Sequence, residues 1–206
     1  MRITGGSAKG RKVGSRKAFI TKGESEELRP TAAKVRQAIF NILTGKIEGS
    51  RFVDLYAGTG AVGIEALSRG AGHVVFVEES HDRVRIIKNL VEKFGFIRRA
   101  SVVKARAISF LNKSPQGSFD IIFLDPPYAT DELALSLPVI DESLLLRKDG
   151  CVIAEHSSKK IMNYPLKNLR VKKIYRYGDT TITLYEYPRS EDNPVTVEKE
   201  QSTTRG

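Results

Sequence analysis

A single cysteine, Cys151, stands in a chain of 206 residues, so no intramolecular disulfide can form. Its setting, "GCVIAEH", reads as a small buried residue of a strand, and a cytoplasmic protein is expected. The three histidines, His73, His81 and His156, have no partner at metal-ligand spacing, and no metal is expected. No Ser-His-Asp or Cys-His arrangement stands out. No apolar run approaches the length of a membrane span, and the N-terminus lacks the charged-then-apolar pattern of a secretory signal, so no membrane partner is expected. Internal repeats are absent, and so is any low-complexity tract inside the domain.

Acids are missing from residues 1–22, which hold Arg2, Lys9, Arg11, Lys12, Arg16, Lys17 and Lys22. The whole chain carries a formal charge of +10. A basic excess can serve solubility alone. Its concentration in one acid-free block favours an arm that tracks a phosphate backbone, and so a nucleic-acid partner.

Three segments follow from the pattern. Residues 1–30, punctuated by glycines, suggest a basic β-hairpin or ordered arm. Residues 31–188 suggest one α/β domain. "TAAKVRQAIFNIL" (31–43) reads as a helix with Thr31 as N-cap and Val35, Ala38, Ile39, Ile42 and Leu43 at helical spacing. From residue 51 strands and helices alternate, ending in the strand "GCVIAEHS", which implies βαβ units in a mostly parallel sheet with helices on both faces. "VKKIYRYGDTTITLYEYP" (171–188) reads as an antiparallel hairpin around Tyr177-Gly178-Asp179. Residues 189–206 lack aromatics and apolar periodicity and are expected to form a disordered tail. A monomer is the simplest expectation.

"DLYAGTGAVGIEAL" (54–67) ends the first of these strands. Gly58, Gly60 and Gly63 match G-x-G-x-x-G, and Glu78 follows Gly58 by 20 residues at the tip of the next strand. Both suit a nucleotide-like ligand, with the carboxylate accepting from the ribose hydroxyls. Tyr56, Ala57 and Thr59 on the loop, and Glu79 beside Glu78, complete the cofactor-binding candidates here. Asp54 sharpens the reading: a carboxylate there would repel a pyrophosphate but suits a ligand with a cationic end. S-adenosylmethionine has a ribose, an ammonium and a sulfonium, and no phosphate. The competing role for Asp54 is to cap the loop's backbone amides.

"FDIIFLDPPYAT" (119–130) breaks an apolar strand with Asp125, Pro126, Pro127 and Tyr128, the catalytic candidates. Here the chain resembles the amino-methyltransferases, whose motif at this place is [DNS]-P-P-[YF]. An exocyclic amine is a poor nucleophile because its lone pair is delocalised into the ring. The Asp125 side chain and the Pro126 carbonyl can accept from its N–H bonds and aim the nitrogen. The prolines stiffen the loop, and Tyr128 can stack on the base.

Together "MRITGGSAKGRKV", "LRPTAAKVRQAIFNIL", "DLYAGTGAVGIEALSRGA", "FVEES" and "DIIFLDPPY" resemble the RsmD family, over about residues 1–187. The resemblance implies a Rossmann-like class I fold, a seven-stranded mostly parallel sheet with an antiparallel C-terminal hairpin and an N-terminal β-hairpin extension. It also implies S-adenosylmethionine as cofactor, and methylation of the N2 amine of one guanine in 16S ribosomal RNA, either free or in the small subunit or an assembly intermediate. Lys9, Arg11, Lys12 and Arg29 are the RNA-binding candidates; for Arg29 the cofactor's carboxylate or a structural ion pair is an equal alternative. The chain departs from many methyltransferases after the third strand: "VVKARAISF" lacks the acid that accepts from the adenine amine, leaving Arg106 and Ala107 near that place. Glu155 ends the fifth strand, facing either the site or the surface. The rival readings are a DNA adenine-N6 methyltransferase, which also uses D-P-P-Y, a nucleic-acid-binding module with a relic cofactor fold and, more distantly, an NAD-dependent dehydrogenase.

Overall fold

A computed structural model describes residues 2–13, 30–160, 162, 164–188 and 196–199, with backbone alone for 30–32 and 196–199. The strands are β1 (Arg51–Asp54), β2 (His73–Glu78), β3 (Ala100–Lys104), β4 (Phe119–Leu124), β5 (Leu146–Ser157), β6 (Arg170–Tyr177), β7 (Thr180–Glu186) and β8 (Thr196–Lys199). The helices are α1 (Pro30–Ile42), α2 (Ala61–Ser68), α3 (His81–Lys93), α4 (Ala107–Leu111) and α5 (Glu132–Glu142). The strands form one sheet in the order β3-β2-β1-β4-β5-β7-β6-β8. Neighbours from β3 to β5 run parallel, while β7 is antiparallel to both β5 and β6. This is the expected class I architecture with its C-terminal hairpin. The chain reverses direction across the sheet between β1 and β4, and ligands of open α/β sheets bind at such a switch point, beyond the strands' C-terminal ends.

Both faces are covered, so the central strands are apolar throughout. Successive residues of a strand face opposite sides. Phe52, Phe76, Ile121, Phe123, Cys151 and Ile153 pack with α1, α2 and α3. Val53, Val77, Ile122, Leu124, Val152 and Ala154 pack with α4 and α5. α1 buries Val35, Ala38, Ile39 and Leu43 as its spacing predicts. It starts at Pro30 rather than after it, because proline's fixed φ and missing N–H suit the first helical position. The expected N-cap, Thr31, thus lies within the helix.

In the described part of the N-terminal extension, residues 2–13, Arg2 and Lys12 meet in an antiparallel bridge, around a turned loop that docks on the end of α2. Ser7 donates its N–H to the Ser68 carbonyl (2.7 Å), Ala8 donates to Ser68 Oγ (2.8 Å), and Ser68 Oγ donates to the Gly5 carbonyl (2.6 Å). Carbonyls left open at a helix C-terminus are satisfied this way. Gly6 has φ +75°, and a Cβ there would overlap the Ser68 carbonyl. Docking, not strand pairing, therefore sets the loop's shape. Arg36 of α1 pairs with the buried Glu65 of α2 (2.8 Å) and donates to the Arg2 carbonyl (3.0 Å); Thr4 and Arg69 also donate to Glu65. Residues 14–29 of the arm lie outside the described residues.

Of the tail expected to be unstructured, residues 196–199 are described. They pair in parallel with β6, from Lys173↔Thr196 to Arg176↔Lys199, as an eighth strand. The outer edge of β6 offers unpaired backbone groups, and "TVEK" carries the β-branched residues that suit an edge.

Candidate active site

The glycine loop rises from β1 between β2 and β4. Leu55 donates its N–H to the Phe123 carbonyl and Ala57 to the Val77 carbonyl, each at 3.0 Å, so the loop begins as a continuation of the sheet. Gly58 and Gly60 then take left-handed φ of +53° and +76°. A Cβ on Gly58 would meet only the Tyr56 carbonyl, at 3.8 Å, so this turn faces open space. Gly63 differs: a Cβ there would overlap the Phe76 ring. Its lack of a side chain lets α2 pack on β2, and it presents no surface to a ligand.

Two carboxylates frame the loop. Glu78 accepts from the Gly58 N–H and the Ser80 N–H, both at 2.8 Å, so each oxygen is anchored and retains lone pairs for a further donor. Asp54 is 1% exposed. Its Oδ2 accepts from the Gly63 N–H at 3.1 Å, while its Oδ1 is buried with no hydrogen-bond partner. Gly63 is the third residue of α2, whose N-cap, Gly60, has no side chain to offer. Asp54 thus supplies the missing capping oxygen from a neighbouring strand, and its second oxygen is left over. Burial pushes the carboxyl up to about 7; the Gly63 N–H opposes this and the nearby Glu78 adds to it. A desolvated carboxylate with an unfilled acceptor is costly unless a donor or cation arrives.

That orphaned oxygen tests S-adenosylmethionine on the structure itself. The ligand must offer a donor to Asp54, present hydroxyls to Glu78 and need no phosphate cradle. An ammonium and a ribose meet the first two demands, so the residues fit. Tyr56 is half-buried and tied away from the loop: its hydroxyl donates to Glu132 (3.0 Å) and bonds Ser136 Oγ (2.7 Å) on α5. Thr59 is partly exposed, Ala57 is buried, and Glu79 is exposed beyond β2. Arg106 is the N-cap of α4, with an exposed side chain 3.9 Å from Glu132, and Ala107 is the first, buried residue of that helix.

The Asp125-Pro126-Pro127-Tyr128 turn leaves β4 at the same edge. Pro126 is buried, whereas Asp125, Pro127 and Tyr128 are exposed. The Pro127 carbonyl accepts from Thr130 Oγ1 (2.7 Å) and the Thr130 N–H (3.1 Å), closing the turn, and Lys160 donates to the Thr130 carbonyl (2.7 Å). The Tyr128 hydroxyl reaches across the next strands, donating to Glu155 Oε1 (3.2 Å) and bonding Thr180 Oγ1 (3.1 Å). Glu155 is pushed up to about 7 by burial, which the hydrogen bond from Tyr128 opposes. Glu132, Ser136 and Thr180 carry no motif signal; their roles come from packing between elements distant in sequence.

Of the RNA-binding candidates, Lys9, Arg11 and Lys12 are not brought to this edge. Arg11 donates to the Lys93 carbonyl (2.9 Å), and its guanidinium lies 4.4 Å from the centre of the Phe94 ring. α3 begins beside Glu78 and ends at Lys93, about 20 Å further along at 1.5 Å per residue. Arg11 therefore sits at the N-terminal edge of the sheet, with exposed Lys9 and Lys12 on the same loop. Arg29 lies outside the described residues. Among the described residues no helix is long and apolar enough to cross a membrane, and no group of His, Cys, Asp and Glu is arranged to hold a metal ion.

The family described as Conserved hypothetical protein 95 matches residues 1–186. The Escherichia coli protein named Ribosomal RNA small subunit methyltransferase D is 34% identical over 160 residues, 75% of this chain and 74% of its own. Bacillus subtilis YlbH is 34% identical over 189 residues, 90% of this chain and 98% of its own. The solved structure of Escherichia coli yhhF superposes with a TM-score of 0.75 at 27% identity, covering 91% of this chain and 97% of that one. With the family match spanning nearly the whole domain and the Asp54, Glu78 and Asp125 carboxylates gathered at one sheet edge, the chain belongs to the RsmD family of methyltransferases.

Proposed function

We propose that this protein methylates the exocyclic N2 amine of a guanine in 16S ribosomal RNA. More broadly, it is an S-adenosylmethionine-dependent methyltransferase of ribosomal RNA, like the relatives named for that activity. One observation carries the reading: the loop bearing Gly58, framed by Asp54 and Glu78, and the turn bearing Asp125 rise side by side, joined by the Leu55-to-Phe123 hydrogen bond. A cofactor held by the first loop is thereby next to an amine held by the second.

The sulfonium supplies an activated methyl group. The chain's task is then to place the nitrogen in line with it, which can account for much of a rate enhancement. Asp125 and the Pro126 carbonyl accept from the amine's N–H bonds, and Tyr128 offers its ring to the base. Asp125 need not be a strong base, because the amine becomes acidic once its lone pair is used. The small-subunit RNA is supported by the relatives' names, and the guanine N2 position by the resemblance to the RsmD family. At the far edge of the sheet the exposed Lys9 and Lys12 can meet phosphates of a large substrate, away from the reacting base.

The test is transfer of labelled methyl to 16S RNA and to DNA, followed by nucleoside analysis. The expected product is N2-methylguanosine in the RNA; N6-methyladenine would refute the proposal.

A further inference from the structure

Glu155 has the environment of a group waiting for a partner. It follows Ala154, which pairs in register with Leu124, so Glu155 on β5 stands next to the place where Asp125 opens the turn beyond β4. Adjacent parallel strands lie about 4.8 Å apart, and the charges of both Glu155 and Asp125 act on the Tyr128 hydroxyl. Two carboxylates therefore share this edge of the sheet, where the target base is proposed to sit. No cation pairs with Glu155 among the described residues, and its carboxylate accepts from the hydroxyl of Tyr128. Desolvation has raised its carboxyl to about 7, the cost of a poorly solvated acid that the fold does not otherwise use. The Tyr128 hydrogen bond holds one oxygen still and leaves lone pairs on the carboxylate.

From this geometry we infer that Glu155 is the residue that distinguishes guanine from adenine, its carboxylate accepting the ring N1–H while Asp125 and the Pro126 carbonyl accept from the amine. The inference rests on the N2-guanine reading above. An amine flanked by Asp-Pro-Pro-Tyr does not by itself identify the base, since both purines carry an exocyclic amine. The neighbouring ring nitrogen does: guanine N1 is a donor, and adenine N1 is an acceptor. A carboxylate beside Asp125 attracts the first and repels the second. Discrimination against the wrong base then comes from a repulsive contact as well as an attractive one.

The test uses the full chain and small-subunit RNA with either guanine or 2-aminopurine at the mapped target position. 2-Aminopurine has the same N2 amine, but its N1 is an acceptor. The wild-type protein is expected to prefer guanine in kcat/KM. In Glu155→Gln, whose amide can turn either a donor or an acceptor toward the base, that preference should shrink by about 10–100-fold, the effect of one charge-assisted hydrogen bond. S-adenosylhomocysteine affinity, measured by calorimetry, should not change, which verifies folding. Equal wild-type rates on the two bases, or an undiminished preference in Glu155→Gln, overturn the inference while leaving N2-guanine transfer intact. Failure of the wild type to methylate guanine at all overturns the reading beneath it.

Discussion

Asp54→Asn should make the protein more stable and less able to bind its cofactor. Burial raises the Asp54 carboxyl from its ordinary 3.8 to about 7. An acid raised on folding keeps its proton more readily in the folded state, so stability is highest below pH 3.8 and is lost as pH rises through about 7. At about 1.4 kcal/mol per pH unit the full cost above that pH is about 4 kcal/mol. Asparagine removes the charge and keeps an oxygen for the Gly63 N–H, but buries an amide with no partner, which costs about 1–3 kcal/mol. The net gain at pH 8 should be about 1–3 kcal/mol. At pH 5 much of the charge penalty is already absent in the wild type, so the variant's advantage should shrink by about 2–3 kcal/mol. Urea denaturation of both proteins at the two pH values measures this change, in which the amide cost cancels. Calorimetry with S-adenosylhomocysteine should show affinity weakened by about 10–100-fold, since the variant has no charge to assist the hydrogen bond from the ligand's ammonium. Wild-type affinity should also fall as pH drops below about 7 and Asp54 becomes neutral. A stability difference that is the same at pH 5 and pH 8 would refute the argument, and so would tight binding by the variant.

Glu78→Ala should weaken S-adenosylhomocysteine binding by about 1–3 kcal/mol, because it removes the ribose acceptor and releases the Gly58 and Ser80 N–H groups; NAD should bind neither protein in calorimetry. Asp125→Ala should abolish most single-turnover activity while sparing cofactor affinity, the pattern of an interaction made mainly in the transition state. Asp125→Asn keeps an acceptor and should be less impaired, and wild-type turnover in Asp125→Ala would exclude the positioning role. Gly6→Ala should lower the melting temperature by several degrees without changing cofactor affinity of the folded protein, because a Cβ would collide with the Ser68 carbonyl at a left-handed φ; an unchanged melting temperature would mean that the loop does not clamp α2. Lys9→Ala with Lys12→Ala should reduce the salt dependence of RNA binding, by about one unit of slope for each phosphate no longer neutralised, and an unchanged slope would leave the loop a purely structural clamp.

Strand, helix and turn assignments within the α/β domain were legible in the sequence because they depend on neighbours along the chain. Apolar residues at the α1 spacing, β-branched runs in the central strands and Gly58 and Gly60 at left-handed positions are local signals. They placed the parallel sheet, the C-terminal hairpin and the loop between Asp54 and Glu78, and the acid and prolines of 125–127 marked the strand end opposite. Long-range packing decided the rest. Gly63 belongs to the glycine pattern, yet its position answers to the Phe76 ring on another strand. Arg11 belongs to a basic block, yet it is engaged with Phe94 and the end of α3. Glu155 could not be separated from an ordinary strand-end acid until the register with β4 set it beside Asp125 and the Tyr128 hydroxyl reached it. The physical reason is common to all three. A side chain's chemical type and local conformation are written in the sequence, but its desolvation, its partners and the oxygen left without one are properties of the surfaces that folding brings together.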